Sequence, residues 1–196
     1  MPQARQRRTR GEGDQLRGEL VAAAIDLLLQ PQALPTPSLR AIARKSGVAP
    51  SAVYMHFDSQ DALEYAVTAE LFDRLRSTLD AADPVDAAPA TRLRALLDAY
   101  LDWAENQPGA YQLLFERPDP TDSAGTGPGL DLLDRLAQTL PASARSDAPT
   151  RAMQVWCAIH GVASLRIHKP SAPWTRTAGS DAWALVERVA GFADAD

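Results

Sequence analysis

The 196-residue sequence predicts an all-α fold: a small three-helix head joined by one long helix to a larger helical body. Three observations carry that prediction. Apolar residues recur at spacings of three and four through nearly every segment, which is the period of a buried helix face. No segment alternates apolar and polar residues as a half-buried strand does. Gly and Pro interrupt the periodic runs where helices of ordinary length would stop and start.

Residues 1–13 are rich in Arg, Gln and Gly and lack periodicity, so they are expected to form a disordered arm. Asp14 to Leu29 then reads as an amphipathic helix. Leu16, Leu20, Ala24, Leu27 and Leu28 repeat at helical spacing with Val21 and Ile25 beside them, and Asp14 is a capping residue type. Pro31, Pro35 and Pro37 forbid its continuation and stiffen the connector that follows.

The segment from Ser38 to Phe57 organises the head. Leu39, Ile42 and Ala43 share one helical face, and Ser38 can cap that helix. Gly47 stands where a left-handed backbone ends a helix at little steric cost. Pro50 suits the first turn of a second helix, whose inward face is Val53 and Phe57. Helix, tight turn and exposed second helix is the helix-turn-helix arrangement, which lays the second helix in the DNA major groove. An ordinary packed helix pair would share the pattern; the flanking charge favours DNA. Residues 1–57 hold eight basic and four acidic side chains, the remainder 12 and 21, within a net charge of −5. A basic head can neutralise phosphates while an acidic body is repelled by the duplex. The arm can then reach along a groove.

Asp58, Ser59, Gln60 and Asp61 suit the N-terminus of a further helix. Leu63, Val67, Leu71, Leu75 and Leu79 recur every four residues until Pro84, making a long helix that joins head to body. The division is expected at 57/58, with 1–57 as DNA-binding head and 58–196 as ligand-binding and dimerisation body. Within the body, residues 88–106 carry Leu93, Leu96, Leu97, Tyr100, Leu101 and Ala104; Pro108 opens a short helix with Tyr111, Leu114 and Phe115 inward. Residues 116–129 read as a mobile loop. Leu130, Leu133, Leu136 and Leu140 mark a helix, and Pro141 to Pro149 a break. Residues 150–169 and 180–193 each carry apolar residues on two sides. The first pairs Met153, Trp156, His160 and Ala163 with a second stripe of Val155, Ile159, Val162 and Arg166. The second pairs Trp183, Val186, Ala190 and Ala193 with Leu185, Val189 and Phe192. A helix apolar on two sides is buried on two sides, so these two are expected to build a four-helix homodimer interface.

Composition narrows the rest. With 45% hydrophobic and 23% charged residues the chain is globular, and no apolar run approaches bilayer length. No secretory signal is evident, and a single cysteine, Cys157, fits a reducing cytoplasm. No metal-ligand spacing, nucleophile–base pair or phosphate-cradling glycine loop is present, so neither enzyme activity, metal nor cofactor is expected. The competing reading is a helical protein-interaction adaptor, or a small-molecule enzyme without DNA binding. Aromatics with a few polar tips suit a small-molecule cavity in a helical body: Tyr100, Trp103, Tyr111, Phe115, Trp156 and His160 are the candidates. Each of them also fits plain core packing, and for His160, ahead of Gly161, the structural role is favoured.

From about Leu16 to Leu75 the sequence resembles the tetracycline-repressor (TetR) family of bacterial transcription regulators. The residues are the amphipathic first helix, Leu39-Arg40-Ala41-Ile42-Ala43, Gly47-Val48, Val53-Tyr54-Met55-His56-Phe57, Ser59 and Leu63. Trp156, His160 and Gly161 resemble the Trp-His-Gly (WHG) signature of one subgroup. The resemblance implies about nine helices, a homodimer, a palindromic duplex operator and release by a small hydrophobic or aromatic ligand. It places Ser38, Arg40, Arg44, Lys45, Pro50, Ser51, Ala52, Tyr54, Met55, His56 and Gln60 at the DNA. By position Arg40 approaches bases or phosphate, Ser51 and Ala52 face bases, and Tyr54, Met55 and His56 follow the backbone or groove edge. Met55 and Gln60 stand where the family often has an aromatic and a phosphate-binding lysine, and Ala49 replaces a capping hydroxyl.

Overall fold

The computed structural model describes residues 10–28, 37–116 and 129–192. The arm over 1–9, the connector at Pro31 and Pro35 and residues 117–128 of the expected loop lie outside the described residues. Among the described residues the regular elements are helices throughout and no strand occurs, as the periodicity predicts. They are α1 (Arg10–Leu28), α2 (Leu39–Lys45), α3 (Pro50–Tyr54), α4 (Gln60–Ala82), α5 (Pro89–Asn106), α6 (Pro108–Phe115), α7 (Leu130–Thr139), α8 (Ala148–His168) and α9 (Ala178–Val189). None is long and apolar enough to cross a membrane.

Two compact units divide the chain, Met1–Leu71 and Phe72–Asp196. The border falls inside α4, later than the 57/58 division drawn from the sequence, since the first turns of α4, with Leu63 and Val67 fully buried, belong to the first unit.

In the first unit α2 packs against α1 and α3. Leu20, Ala24 and Ile25 of α1, Ile42 of α2 and Val53 of α3 have no exposed surface, and Phe57 has almost none. Ser38 caps α2 as expected: its hydroxyl accepts from the Ala41 amide at 3.2 Å. The helix then ends in a Schellman motif, with Gly47 at φ +67°, the Val48 amide donating to the Ala43 carbonyl and the Gly47 amide to the Arg44 carbonyl. Open space surrounds the position of a Cβ on Gly47, so glycine is needed there for its backbone alone.

Two expectations for this unit change. The helix α1 begins at Arg10, so residues 10–13 are helical rather than part of an arm. A helix once nucleated adds a turn at small cost, even across Gly11 and Gly13. The helix α3 is only five residues long, so Phe57 lies beyond it. Its inward position survives because the Phe57 amide still donates to the Val53 carbonyl at 3.0 Å.

In the second unit α5, α7 and α9 pack around α8. The predicted faces of α5 are buried, with Leu93, Leu96, Leu97, Tyr100, Leu101 and Ala104 at or below 3% exposure. The face of α7 differs from its expected register: Leu132, Leu136 and Leu140 are buried, whereas Leu130 is exposed and Leu133 half-buried. Two leucine series overlap there, and packing of α7 against α8 and α5 selects the one that is buried. The expected break from Pro141 contains a 3-10 turn, Ala142–Asp147, before α8 begins. On α8 the buried stripe is Ala152, Val155, Ile159, Val162 and Ala163, and Met153 is exposed. The helix α9 stops at Val189, short of residue 193, in a second Schellman motif: Gly191 has φ +85° and the Phe192 amide donates to the Glu187 carbonyl. Phe192 then stacks on Trp183, ring centroids 6.0 Å apart. Ala193 lies outside the described residues.

Candidate functional site

The head presents its polar and apolar candidates on the outside of α2 and α3. Val53 points fully inward. At about 100° per residue, positions two before and two after it lie on the opposite side of the helix. Those positions are Ser51 and Met55, four apart and both exposed. Pro50 and Tyr54 flank them and are also exposed, whereas Ala52 and His56 are half-buried. A Cβ on Gly13 of α1 would stand 3.9 Å from the His56 ring, so His56 is partly occupied by packing. On α2, Arg40 and Arg44 are exposed and one turn apart, as two side chains of one face should be.

Three of the expected DNA contacts have work inside the head. Ser38 caps α2. The Lys45 ammonium lies 3.4 Å from the Asp26 carboxylate, an exposed pair of small worth. The Gln60 amide donates to the Pro37 carbonyl at 3.1 Å, tying the start of α4 to the start of α2. No local pattern signals that tie, since its partners are far apart in the chain. None signals the Arg17 guanidinium either, which sits 5.0 Å above the Phe57 ring.

In the body, five of the six aromatic candidates gather around one histidine-centred cluster. The His160 ring lies 4.2 Å from the Trp156 ring, 4.6 Å from Phe115, 5.6 Å from Tyr111 and 5.7 Å from Tyr100, centroid to centroid. The Tyr100 hydroxyl is 2.7 Å from His160 Nδ1, and the Tyr111 hydroxyl donates to the His160 carbonyl at 3.3 Å. Burial disfavours the imidazolium and holds His160 down to about 4, so the ring is neutral at pH 7 and its Nδ1 accepts from Tyr100. Burial likewise pushes both tyrosine hydroxyls above their ordinary value.

A small cavity of about 30 Å³ adjoins the cluster. Leu79 of α4, Leu93, Leu96, Leu97 and Tyr100 of α5, Leu132, Arg135 and Leu136 of α7, and Val155, Trp156 and Ile159 of α8 line it. Of the six candidates, Tyr100 and Trp156 reach this cavity. Trp103 lines a separate open groove with Thr78, Ala81 and Ala82, while Tyr111, Phe115 and His160 remain in the aromatic cluster. At the cavity wall the Tyr100 hydroxyl is engaged by His160, and the Arg135 guanidinium is engaged as well. Arg135 donates to Asp80, to Asp83 and to the Leu79 carbonyl. Asp83 also receives a two-pronged pair of bonds from Arg92, both 2.9 Å, which holds its carboxyl below the usual range. Further along α4, Arg76 grips Asp131 of α7 in the same two-pronged way. Sequence periodicity marks the apolar lining of the cavity; these long-range ion pairs leave no local pattern.

Residues 93–191 match the family model described as the tetracycline repressor-like C-terminal domain. The fold is similar to that of a TetR-like transcriptional regulator from Rhodococcus sp. RHA1, at 22% identity and a TM-score of 0.67, covering 97% of this chain and 100% of that one. It is similar also to a protein of unknown function from Rhodococcus sp. RHA1, at 22% identity and TM-score 0.73, over 96% of this chain and 97% of that one. A tetR-family transcriptional regulator from Streptomyces coelicolor shares 17% identity and a TM-score of 0.63 over 90% of this chain and 79% of that one. At these identities the likeness is one of fold.

Proposed function

The chain belongs to the tetracycline repressor-like family, and from that premise we propose that it is a sequence-specific DNA-binding transcriptional regulator, a homodimer released from a palindromic operator by a small apolar ligand. The observation that carries the DNA reading is the outer surface of the helix-turn-helix: Ser51 and Tyr54 exposed on α3 and Met55 at its C-cap, beside the exposed cations Arg40 and Arg44 on α2. A recognition helix needs a solvent-facing side free of core duties, and flanking cations neutralise phosphates.

Dimerisation is supported by α8 and α9. These two helices pack on each other, yet Met153, Leu165 and Leu185 stay exposed on them. A second copy of the chain packed on these helices would cover that apolar surface.

The ligand reading rests on the cavity. Its volume of about 30 Å³ has room for roughly two water-sized spheres, far below the roughly 300 Å³ at which ligand pockets begin. A ligand therefore has to part α5, α7 and α8 and press on Leu79 of α4. A state with the cavity open and a state with it closed then differ in ligand affinity, which is what a population shift requires. Leu, Val and Ile side chains make up most of the wall, and the Tyr100 hydroxyl and Arg135 guanidinium are already engaged, so the ligand is small and hydrophobic or aromatic.

Arg40→Ala tests the DNA reading directly. On a selected operator the variant should lose on the order of 1–3 kcal/mol of binding free energy if Arg40 reads a base edge, with a much smaller loss on random duplex. Equal losses on both in a titration at fixed salt would assign Arg40 to phosphate instead. No loss on either would remove α2 from the interface.

A further inference from the structure

The stretch Pro50–Phe57 contains no Arg, Lys, Asn, Gln, Asp or Glu. Those are the side chains that read guanine, adenine and cytosine edges by paired hydrogen bonds or by accepting from the cytosine amine. Polar readout from α3 is left to the hydroxyls of Ser51 and Tyr54, with His56 half-buried beside α1. The most exposed of the large apolar side chains among the described residues also stands here. Met55 is 77% exposed, against 54% for Tyr54, and lies opposite the buried Val53. Nothing in the core accounts for an extended thioether in that place.

We propose that Met55 reads the 5-methyl group of thymine, so that each half-site is specified by A·T pairs facing the C-terminal end of α3. The inference rests on the regulator reading above. The thymine methyl is the one apolar group that base edges present in the major groove. Methionine is unbranched and polarizable, and so fits itself to such a surface. The exposed cations Arg40 and Arg44 sit on α2, which leaves the α3 surface uncharged and free to approach base edges. The occupant of this surface is therefore duplex DNA.

The test uses the full-length protein and duplexes enriched by it from a random pool. Each thymine of the enriched sequence is replaced in turn by deoxyuridine, which removes only the 5-methyl group. For the wild type, one or two thymines per half-site should weaken binding about fourfold when replaced, the worth of burying one methyl group. Met55→Ala should bind the thymine and deoxyuridine duplexes alike, and Met55→Leu should keep the sensitivity. Met55 is exposed, so neither substitution disturbs the core. A wild type indifferent to deoxyuridine at every position overturns the inference and leaves the regulator reading standing. So does a Met55→Ala variant that keeps the wild-type sensitivity. A pool in which no sequence is enriched overturns the regulator reading, and this inference with it.

Discussion

Between pH 6.5 and about 4 the body should lose roughly 3 kcal/mol of stability, and His160→Gln should abolish that loss. The folded ring resists protonation until about 4 because it is packed among Trp156, Phe115, Tyr111 and Tyr100. In the unfolded chain the imidazole takes a proton near its ordinary value of 6.5. Across the interval between those values the unfolded state binds more protons, so stability falls as pH falls, by about 1.4 kcal/mol per unit. Below about 4 both states are protonated at this site and the loss ends. Asp83 and Asp131 are held below 3.8 by their arginine partners. Their contributions vanish at still lower pH, so the two acid limbs are separable. Urea titrations at pH 7 and 4.5, at one protein concentration, check this; equal midpoints for the wild type would contradict it.

Phe57→Ala should destabilise the first unit by about 3–5 kcal/mol, the usual cost of emptying a buried aromatic site. Phe57 is 1% exposed and also carries the Arg17 guanidinium over its ring. Its position is fixed by the two backbone hydrogen bonds that the His56 and Phe57 amides donate to the Val53 carbonyl. Without the ring, α3 loses the apolar support that keeps Ser51 and Met55 facing outward. Hydrogen exchange is the suitable readout, because opening of separate units is resolved locally. Amides of α2 and α3 should exchange many times faster in the variant while those of α8 keep their protection. Unchanged protection in α2 and α3 would contradict the prediction.

Local chemistry made most of the head readable. Ser38, Gly47 and Pro50 each act within a few residues of themselves, and each does in the structure what its side chain or ring dictates. Helix faces were readable for the same reason where one apolar series stands alone, as with Leu63, Val67, Leu71, Leu75 and Leu79 of α4, all buried. Where two series compete, as in α7, packing against distant helices decides. The end of α9 was also written locally, in Gly191, and the apolar stripe running past it masked the signal. What stayed hidden depends on partners far apart in the chain: Gln60 on Pro37, Arg135 on Asp80 and Asp83, Arg76 on Asp131. For the body site, sequence supplied six aromatics. Only their tertiary placement separates Tyr100 and Trp156, at the cavity, from the cluster that supports them.

The regulator reading stands or falls on duplex recognition by two copies of the helix-turn-helix. Protection footprinting of the DNA beside its own gene, with the full-length protein at low salt, should reveal a palindrome of about 15–25 base pairs whose half-site centres lie about one helical turn apart. Raising the salt should weaken that protection steeply, as released counterions return to the phosphates. The same DNA left uniformly cleaved at low salt, with folded protein in excess, would contradict the account.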